Sequence, residues 1–120
     1  MVEVMPESTG STLALKASGK LTDADYKQVL IPKMEEIIKQ YGTAKVLLYL
    51  PGDFTGWEPH AAWDDAKFGL RHRNDFEKLA VVGGAKWVEW STKIASHFMK
   101  GEVKTFPQEQ LEEALNWIRA

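Results

Sequence analysis

The chain has 120 residues, a length typical of one domain with a single hydrophobic core. Its 44% hydrophobic and 27% charged residues are ordinary for a globular protein and exclude extended disorder. The net charge of −2, with both signs interspersed, makes a nucleic-acid backbone a poor partner, and the absence of cysteine excludes disulfides and thiolate chemistry.

No segment has the pattern of an export signal or a membrane span. Residues 1–6 lack the basic stretch and apolar run of a signal peptide. The longest unbroken apolar run is residues 46–50, whereas a transmembrane helix needs roughly 20 residues. We therefore expect a cytoplasmic protein, with peripheral association at a membrane surface left open.

The first residues predict a pair of strands. Residues 12–18 alternate loosely between apolar and polar side chains and stop at Gly19, as a half-buried strand does. Residues 2–5 are a candidate partner strand across the turn-forming residues 7–10.

A long helix is predicted next. Thr22 and Asp25 form a capping-box pattern, and Gly42 ends the segment that follows. Because Pro32 lacks an N–H and its ring clashes with the preceding turn, we expect the helix to kink or split there. The apolar residues of one helical face are Tyr26, Leu30, Met34, Ile37, Ile38 and Tyr41.

The rest of the chain predicts three more strands, each followed by a helix. Residues 46–50 are continuously apolar, which indicates a central strand buried on both faces. A loop and a helix follow, the helix from Pro59 to about residue 72. The remaining predicted elements are a strand over residues 79–82, a helix over 85–98, a strand over 103–106 and a helix after Pro107 with Leu111, Ala114, Leu115 and Ile118 on one face.

This alternation predicts a single α/β domain over residues 1–120, with a central sheet of four to five strands flanked by about four helices. In such sheets, ligands bind beyond the carboxyl ends of the strands. Two turns qualify here: the loop after Leu50 and the Gly83-Gly84 turn. If their strands are neighbours, both turns lie on one edge of the sheet.

Several short motifs follow one another along residues 12–119. They are Gly19-Lys20-Leu21-Thr22 with Asp25-Tyr26, Gly56-Trp57, Ala62-Trp63-Asp64-Asp65, Lys67-Phe68-Gly69, Ala80-Val81-Val82-Gly83, Phe106-Pro107 and Ala114 with Trp117. Their order resembles the SpoIIAA-like branch of the STAS superfamily. This resemblance implies a mixed sheet with helices packed against it, a topology compared with lipid-binding domains, and either membrane association or apolar ligand binding.

The resemblance also suggests a phosphorylation site. Anti-sigma factor antagonists of the superfamily carry a phosphorylated serine in an Asp-Ser-Ser-Gly-Leu context, and residues 53–57 follow that outline with Thr55 at the acceptor position. The sequence departs from the pattern at Phe54 and Trp57. The alternative for Asp53 and Thr55 is ordinary turn chemistry, in which their side chains hydrogen-bond nearby backbone N–H groups.

Tryptophan is the second functional signal, with five residues in the chain. Indole joins a large apolar body to one N–H donor, which suits a pocket wall or a membrane interface, although core packing is the alternative and is expected for Trp117. The Gly83-Gly84 turn either serves tight packing or offers backbone amides to an anion. The candidate ligand-binding residues are Asp53, Thr55, Gly56, Trp57, Trp63, Gly83, Gly84, Trp87 and Trp90.

Catalytic and metal signatures are weak. His60 and Asp64 lie one helical turn apart, but His72 is about 18 Å from His60 along the axis at about 1.5 Å per residue, so no metal site is predicted. The adjacent carboxylates Asp64 and Asp65 point in different directions on a helix. No nucleophile elbow or phosphate-binding loop occurs, and we predict no enzyme activity and no cofactor.

The leading hypothesis is a non-enzymatic STAS-like module that binds an apolar small molecule or a membrane surface through Trp57, Trp63, Trp87 and Trp90. The alternative is a protein-interaction switch of the antagonist type centred on Thr55. Exposed indoles would also favour a homodimer.

Overall fold

The alternating apolar segments pair into one five-stranded sheet. The structure is a computed structural model and describes residues 2–58, 75–84 and 102–120. The strands are β1 (Val2–Val4), β2 (Thr12–Ala17), β3 (Lys20–Leu21), β4 (Ala44–Leu50), β5 (Gly56–Trp57), β6 (Phe76–Gly83) and β7 (Glu102–Phe106). The order in the sheet is β1-β2-β4-β6-β7. Strand β1 is antiparallel to β2, and the other neighbours are parallel; β3 and β5 form a separate parallel pair.

Two helical segments are present in the described residues. The first comprises α1 (Asp23–Asp25), a π-helical turn (Tyr26–Leu30) and α2 (Ile31–Tyr41), and the second a 3-10 turn (Gln108–Gln110) and α3 (Leu111–Arg119). The predicted mixed α/β sheet is confirmed with five strands. The other two predicted helices, residues 59–72 and 85–98, lie outside the described residues. None of the described helices is long and apolar enough to cross a bilayer.

The first helical segment begins at the predicted capping box. The Asp25 N–H donates to Thr22 Oγ1 over 3.2 Å, and the Thr22 N–H donates to Asp25 Oδ2 over 3.0 Å. At Pro32 the helix neither breaks nor divides into two separate helices; instead, its hydrogen bonding changes type. The Ile31 N–H, just before the proline, donates to the Tyr26 oxygen five residues back, as in a π-helix. A proline without an N–H is readily accommodated at the start of α2.

The two faces of the sheet carry separate hydrophobic clusters. We call the face under α1 and α2 the α2 face and the face under α3 the α3 face. The odd residues of β2 and the even residues of β4 point to the α2 face. Its cluster includes Leu13, Leu15, Ala17, Tyr26, Leu30, Met34, Val46, Leu50, Phe54 and Val81; the α3 cluster includes Ala14, Leu47, Ala80, Val82, Phe106, Ala114, Leu115 and Ile118.

Two lysines hold the end of α3. Lys45 and Lys78 face each other on β4 and β6, and both side chains reach the last carbonyls of the helix. The Lys78 ammonium donates to the Trp117 oxygen over 3.2 Å and to the Ala120 oxygen over 2.9 Å, and Lys45 donates to the Ala120 oxygen over 3.4 Å. Positive charge is favoured at this negative end of a helix.

Trp117 was predicted to be a core residue. It is half-buried and packs against the α3 cluster, with its ring 6.1 Å from that of Phe106. The Lys78 ammonium lies 5.0 Å from the Trp117 ring centroid, within cation–π range. Trp117 therefore stabilises the docking of α3 while remaining partly exposed.

Candidate functional site

The carboxyl ends of β4, β6 and β7 lie side by side. Leu50 pairs with Gly83, and Val82 pairs with Phe106, so the loop after β4 and the turn after β6 share one edge, as the sequence predicted. We call this the carboxyl edge.

The predicted site glycines have conformational roles at this edge. A Cβ at Gly83 would lie 3.0 Å from both Cβ and O of Leu50, so glycine permits the close approach of β6 to β4. Gly56 is buried in β5 with φ of 125°, a conformation that favours glycine. Gly84, in contrast, is exposed and has open space around it.

The loop over residues 51–58 is held by one buried side chain. Phe54 is only 4% exposed and belongs to the cluster on the α2 face. Its N–H donates to the Pro51 oxygen over 2.9 Å, which closes a turn ahead of the buried ring. Burial of a phenylalanine side chain contributes about 1.5–3 kcal/mol.

Backbone hydrogen bonds fix the second half of this loop against β3. The Thr55 N–H donates to the Gly19 oxygen and the Glu58 N–H to the Leu21 oxygen, each over 2.8 Å. These bonds flank the pairing of β3 with β5. The loop therefore has a defined conformation on both sides of Thr55.

The same loop contacts the start of α1. Glu58 Oε1 accepts a hydrogen bond from the Asp23 N–H over 3.4 Å, which places a carboxylate at the positive end of the helix. Burial raises the pKa of Asp25, but hydrogen bonds from the Thr22 N–H and hydroxyl are among the contributions that lower it, and the pKa lies below its ordinary value of 3.8. The loop and the capping box form one connected polar cluster.

The predicted site residues divide into three groups. Asp53 and Thr55 are exposed on the loop, on either side of the buried Phe54. The backbone of Trp57 pairs with Leu21 on the same loop. The loop and the Gly83-Gly84 turn begin at the same edge of the sheet, since Leu50 pairs with Gly83. The other three candidates, Trp63, Trp87 and Trp90, lie outside the described residues.

Gln108 is an edge residue that the sequence analysis missed. Its Nε2 donates to the Leu50 oxygen over 3.4 Å, and a Cβ at Gly52 would lie 3.7 Å from the same nitrogen. The signal was available, since Gln108 follows the predicted strand 103–106 and must emerge at the same edge as the loop after Leu50.

A groove of about 180 Å³ was also missed, and it lies away from the carboxyl edge, between α2 and the turn that joins β1 to β2. Its walls mix apolar and polar side chains. The lining residues are Val4, Ser8, Thr9, Gly10, Thr12, Leu13, Lys33, Glu36, Ile37, Gln40 and Tyr41.

The carboxyl edge offers recognition chemistry. Within residues 2–58, 75–84 and 102–120 there is no group of three His, Asp or Glu side chains that would hold a metal. The Thr55 side chain is exposed on the loop at this edge. An exposed hydroxyl on a fixed backbone can nevertheless be modified or contacted by a partner.

The chain belongs to the SpoIIAA-like family, whose model matches residues 12–119. The resemblance noted in the sequence is therefore confirmed. The chain is also similar to an uncharacterized protein of the DUF3478 family from Shewanella loihica PV-4, whose crystal structure has a SpoIIAA-like fold. The two are 35% identical and superpose with a TM-score of 0.73, covering 98% of this chain and 93% of the other. A comparison with curated proteins finds no match.

Proposed function

We propose that this protein is a non-enzymatic regulatory module that presents the loop over residues 51–58 to a protein partner, with phosphorylation of Thr55 as the switch. The observation that carries the proposal is the alternation of exposure along the loop: Phe54 is buried in the core, while Asp53 and Thr55 beside it are exposed. A buried anchor of this kind holds the neighbouring hydroxyl at a constant position.

A phosphate at Thr55 would change the charge of the loop strongly. It adds about −1.5 to −2 charges at neutral pH, next to the carboxylates of Asp53 and Glu58 in the same loop. The modified loop becomes a concentrated negative surface, which would weaken contact with an acidic partner and strengthen contact with a basic one.

Mass spectrometry of the protein purified from its own cells tests the switch. The tryptic peptide of residues 46–67 contains Thr55 as its sole serine or threonine and Tyr49 as its sole tyrosine, so fragment ions that place the phosphate after Tyr49 assign it to Thr55. Binding to a co-purifying partner should change in Thr55→Glu, whereas Thr43→Glu, at an exposed threonine on another loop, should bind normally. An unmodified peptide together with unchanged binding by Thr55→Glu would refute the proposal.

The position of Trp57 in β5, on the carboxyl edge, favours a second candidate function: binding of an apolar small molecule or a membrane surface. Trp63, Trp87 and Trp90 would complete the site. Co-sedimentation with phosphatidylcholine and phosphatidylglycerol vesicles, together with native mass spectrometry of protein from cells, tests this candidate. Absence of both vesicle binding and any bound mass would eliminate it.

A further inference from the structure

Strand β1 has a hydrogen-bonding edge that is unpaired in the described part of the chain. It is the outermost strand on its side of the sheet, with β2 as its neighbour. The Met5 N–H donates to the Ala14 oxygen over 2.8 Å, so Met5 is a residue whose backbone groups point toward β2. In an antiparallel pair this direction alternates, and Glu3 therefore also points toward β2, while the N–H and C=O groups of Val2 and Val4 point away from the sheet.

The groove beside α2 adjoins this edge. Val4 and Tyr41, which are 39% and 50% exposed, are the exposed large apolar side chains among the described residues, and both line the groove. Ile37 lies in the same wall, and Lys33 and Gln40 supply polar groups. Outward-pointing backbone groups thus stand next to a partly apolar groove, which is the combination used when an extended peptide adds to a sheet edge.

The charge at the centre of β1 selects the occupant. In a strand added antiparallel to β1, one residue lies directly opposite Glu3 in the close, non-hydrogen-bonded pairing. A second copy of β1 centred there would place Glu3 against Glu3, and like charges directly opposite are unfavourable. A basic residue in that place is favourable. Lys16, the cross-strand neighbour of Glu3, lies one strand further away, about 10 Å from the added strand.

We propose that β1 binds an extended peptide of a protein partner, with a Lys or Arg opposite Glu3 and apolar residues on both sides of it. The alternation of a strand sends the basic side chain toward Glu3 and the two apolar side chains to the opposite face, where Val4 and Tyr41 lie. This interaction is separate from the carboxyl edge and does not depend on Thr55.

A reciprocal charge swap tests the proposal. The probes are two capped peptides, Thr-Val-Arg-Val-Thr and Thr-Val-Glu-Val-Thr, titrated into the full chain and followed by NMR of the backbone amides. The arginine peptide should bind more tightly to the wild type, and Glu3→Lys should reverse the preference, each change being about fivefold for a cross-strand charge pair. The Val4 amide should gain protection from hydrogen exchange on binding.

The control is Glu102→Lys, the same charge change on the opposite edge strand β7, which should leave the peptide preference unchanged. Val4→Pro removes an outward N–H without removing a bond to β2, and should weaken binding about tenfold. Tyr41→Ser should also weaken peptide binding, because it removes an apolar contact in the groove without changing β1.

Equal affinity of Glu3→Lys for both peptides, or NMR shifts confined to residues 51–58, would overturn the proposal. A dimer in sedimentation that Val4→Pro dissociates would do so too, because β1 would then pair with a second copy.

Discussion

Two loops of this protein are fixed in different ways. The loop over residues 51–58 is held by the buried ring of Phe54 and by backbone bonds from Thr55 and Glu58 to residues 19–21. The turn over residues 5–11 has no fully buried residue and is held by polar contacts. Ser8 Oγ donates to the Ala14 oxygen over 3.1 Å and accepts from the Ala14 N–H over 2.9 Å, and Thr9 bonds Thr12 in both directions.

The difference shows how each loop can serve recognition. A loop anchored in the core keeps its exposed residues at one position, which suits a modification site such as the one proposed at Thr55. A turn that lacks a fully buried anchor and is held mainly by hydrogen bonds can adjust at low cost, which suits a groove that accepts varied peptide side chains. The following variants test whether the anchoring differs in this way.

The largest effect is expected from Phe54→Ala. Removing a buried phenylalanine side chain should lower the free energy of unfolding by about 3–5 kcal/mol, because both burial and packing are lost. Urea unfolding monitored by circular dichroism measures the change. The neighbouring Asp53→Ala, at an exposed position, should stay within about 0.5 kcal/mol of the wild type. Similar losses for the two variants would contradict the anchor role.

Ser8→Ala should have an intermediate effect on the other loop. The Ala14 N–H loses its partner, while the Ala14 oxygen keeps its bond from Met5, so we expect a loss of about 1–2 kcal/mol. The β1–β2 turn should become more susceptible to hydrogen exchange. If Ser8→Ala destabilises as much as Phe54→Ala, the turn is not the weaker of the two loops.

Asp25→Asn tests the polar cluster at the start of α1. Because the pKa of Asp25 is lowered on folding, the ionised carboxylate stabilises the fold at pH above the ordinary value of 3.8, and this contribution fades as the pH falls through the lower pKa of the folded state. The stability difference between wild type and Asp25→Asn should therefore shrink on acidification. Urea midpoints across about pH 2.5–6 measure it; a difference that grows toward low pH would reverse the sign of the coupling.

The smallest effect is expected from Thr55→Val. The side chain is exposed, and the hydrogen bond at this position comes from the backbone N–H, so the free energy of unfolding should change by no more than about 0.5 kcal/mol. Thermal unfolding checks this. A loss above about 1 kcal/mol would give the hydroxyl a structural role and weaken the case for a switch.

Much of the fold was predictable because local signals agree with tertiary contacts. The apolar run 46–50 became the middle strand, and the Thr22 and Asp25 pattern became the capping box. The outcome at Pro32 was not predictable in detail, because a missing N–H can be accommodated by a kink, a break or a π-helical turn.

The sequence predicted where the candidate site lies in the fold, but not which side chains organise it. That the loop over residues 51–58 and Gly83 lie at one edge of the sheet was predictable, because β4 and β6 are parallel neighbours. The side chains that organise this edge were not, since Phe54 departs from the superfamily pattern, and its burial depends on space left by residues distant in sequence. The groove at Val4 and Tyr41 depends on the distance between α2 and β1, and no local pattern encodes that distance.

The paired lysines on β4 and β6 should make the unfolding of the sheet and of α3 cooperative. Lys45 and Lys78 lie directly opposite each other, and two cations at that spacing repel unless a negative group faces them. The Glu77 carboxylate lies 4.0 Å from the Lys45 ammonium, and the Trp117 and Ala120 oxygens at the end of α3 accept hydrogen bonds from the lysines. Strand pairing at this point and docking of α3 should therefore depend on each other, so that the sheet and its last helix unfold in one transition.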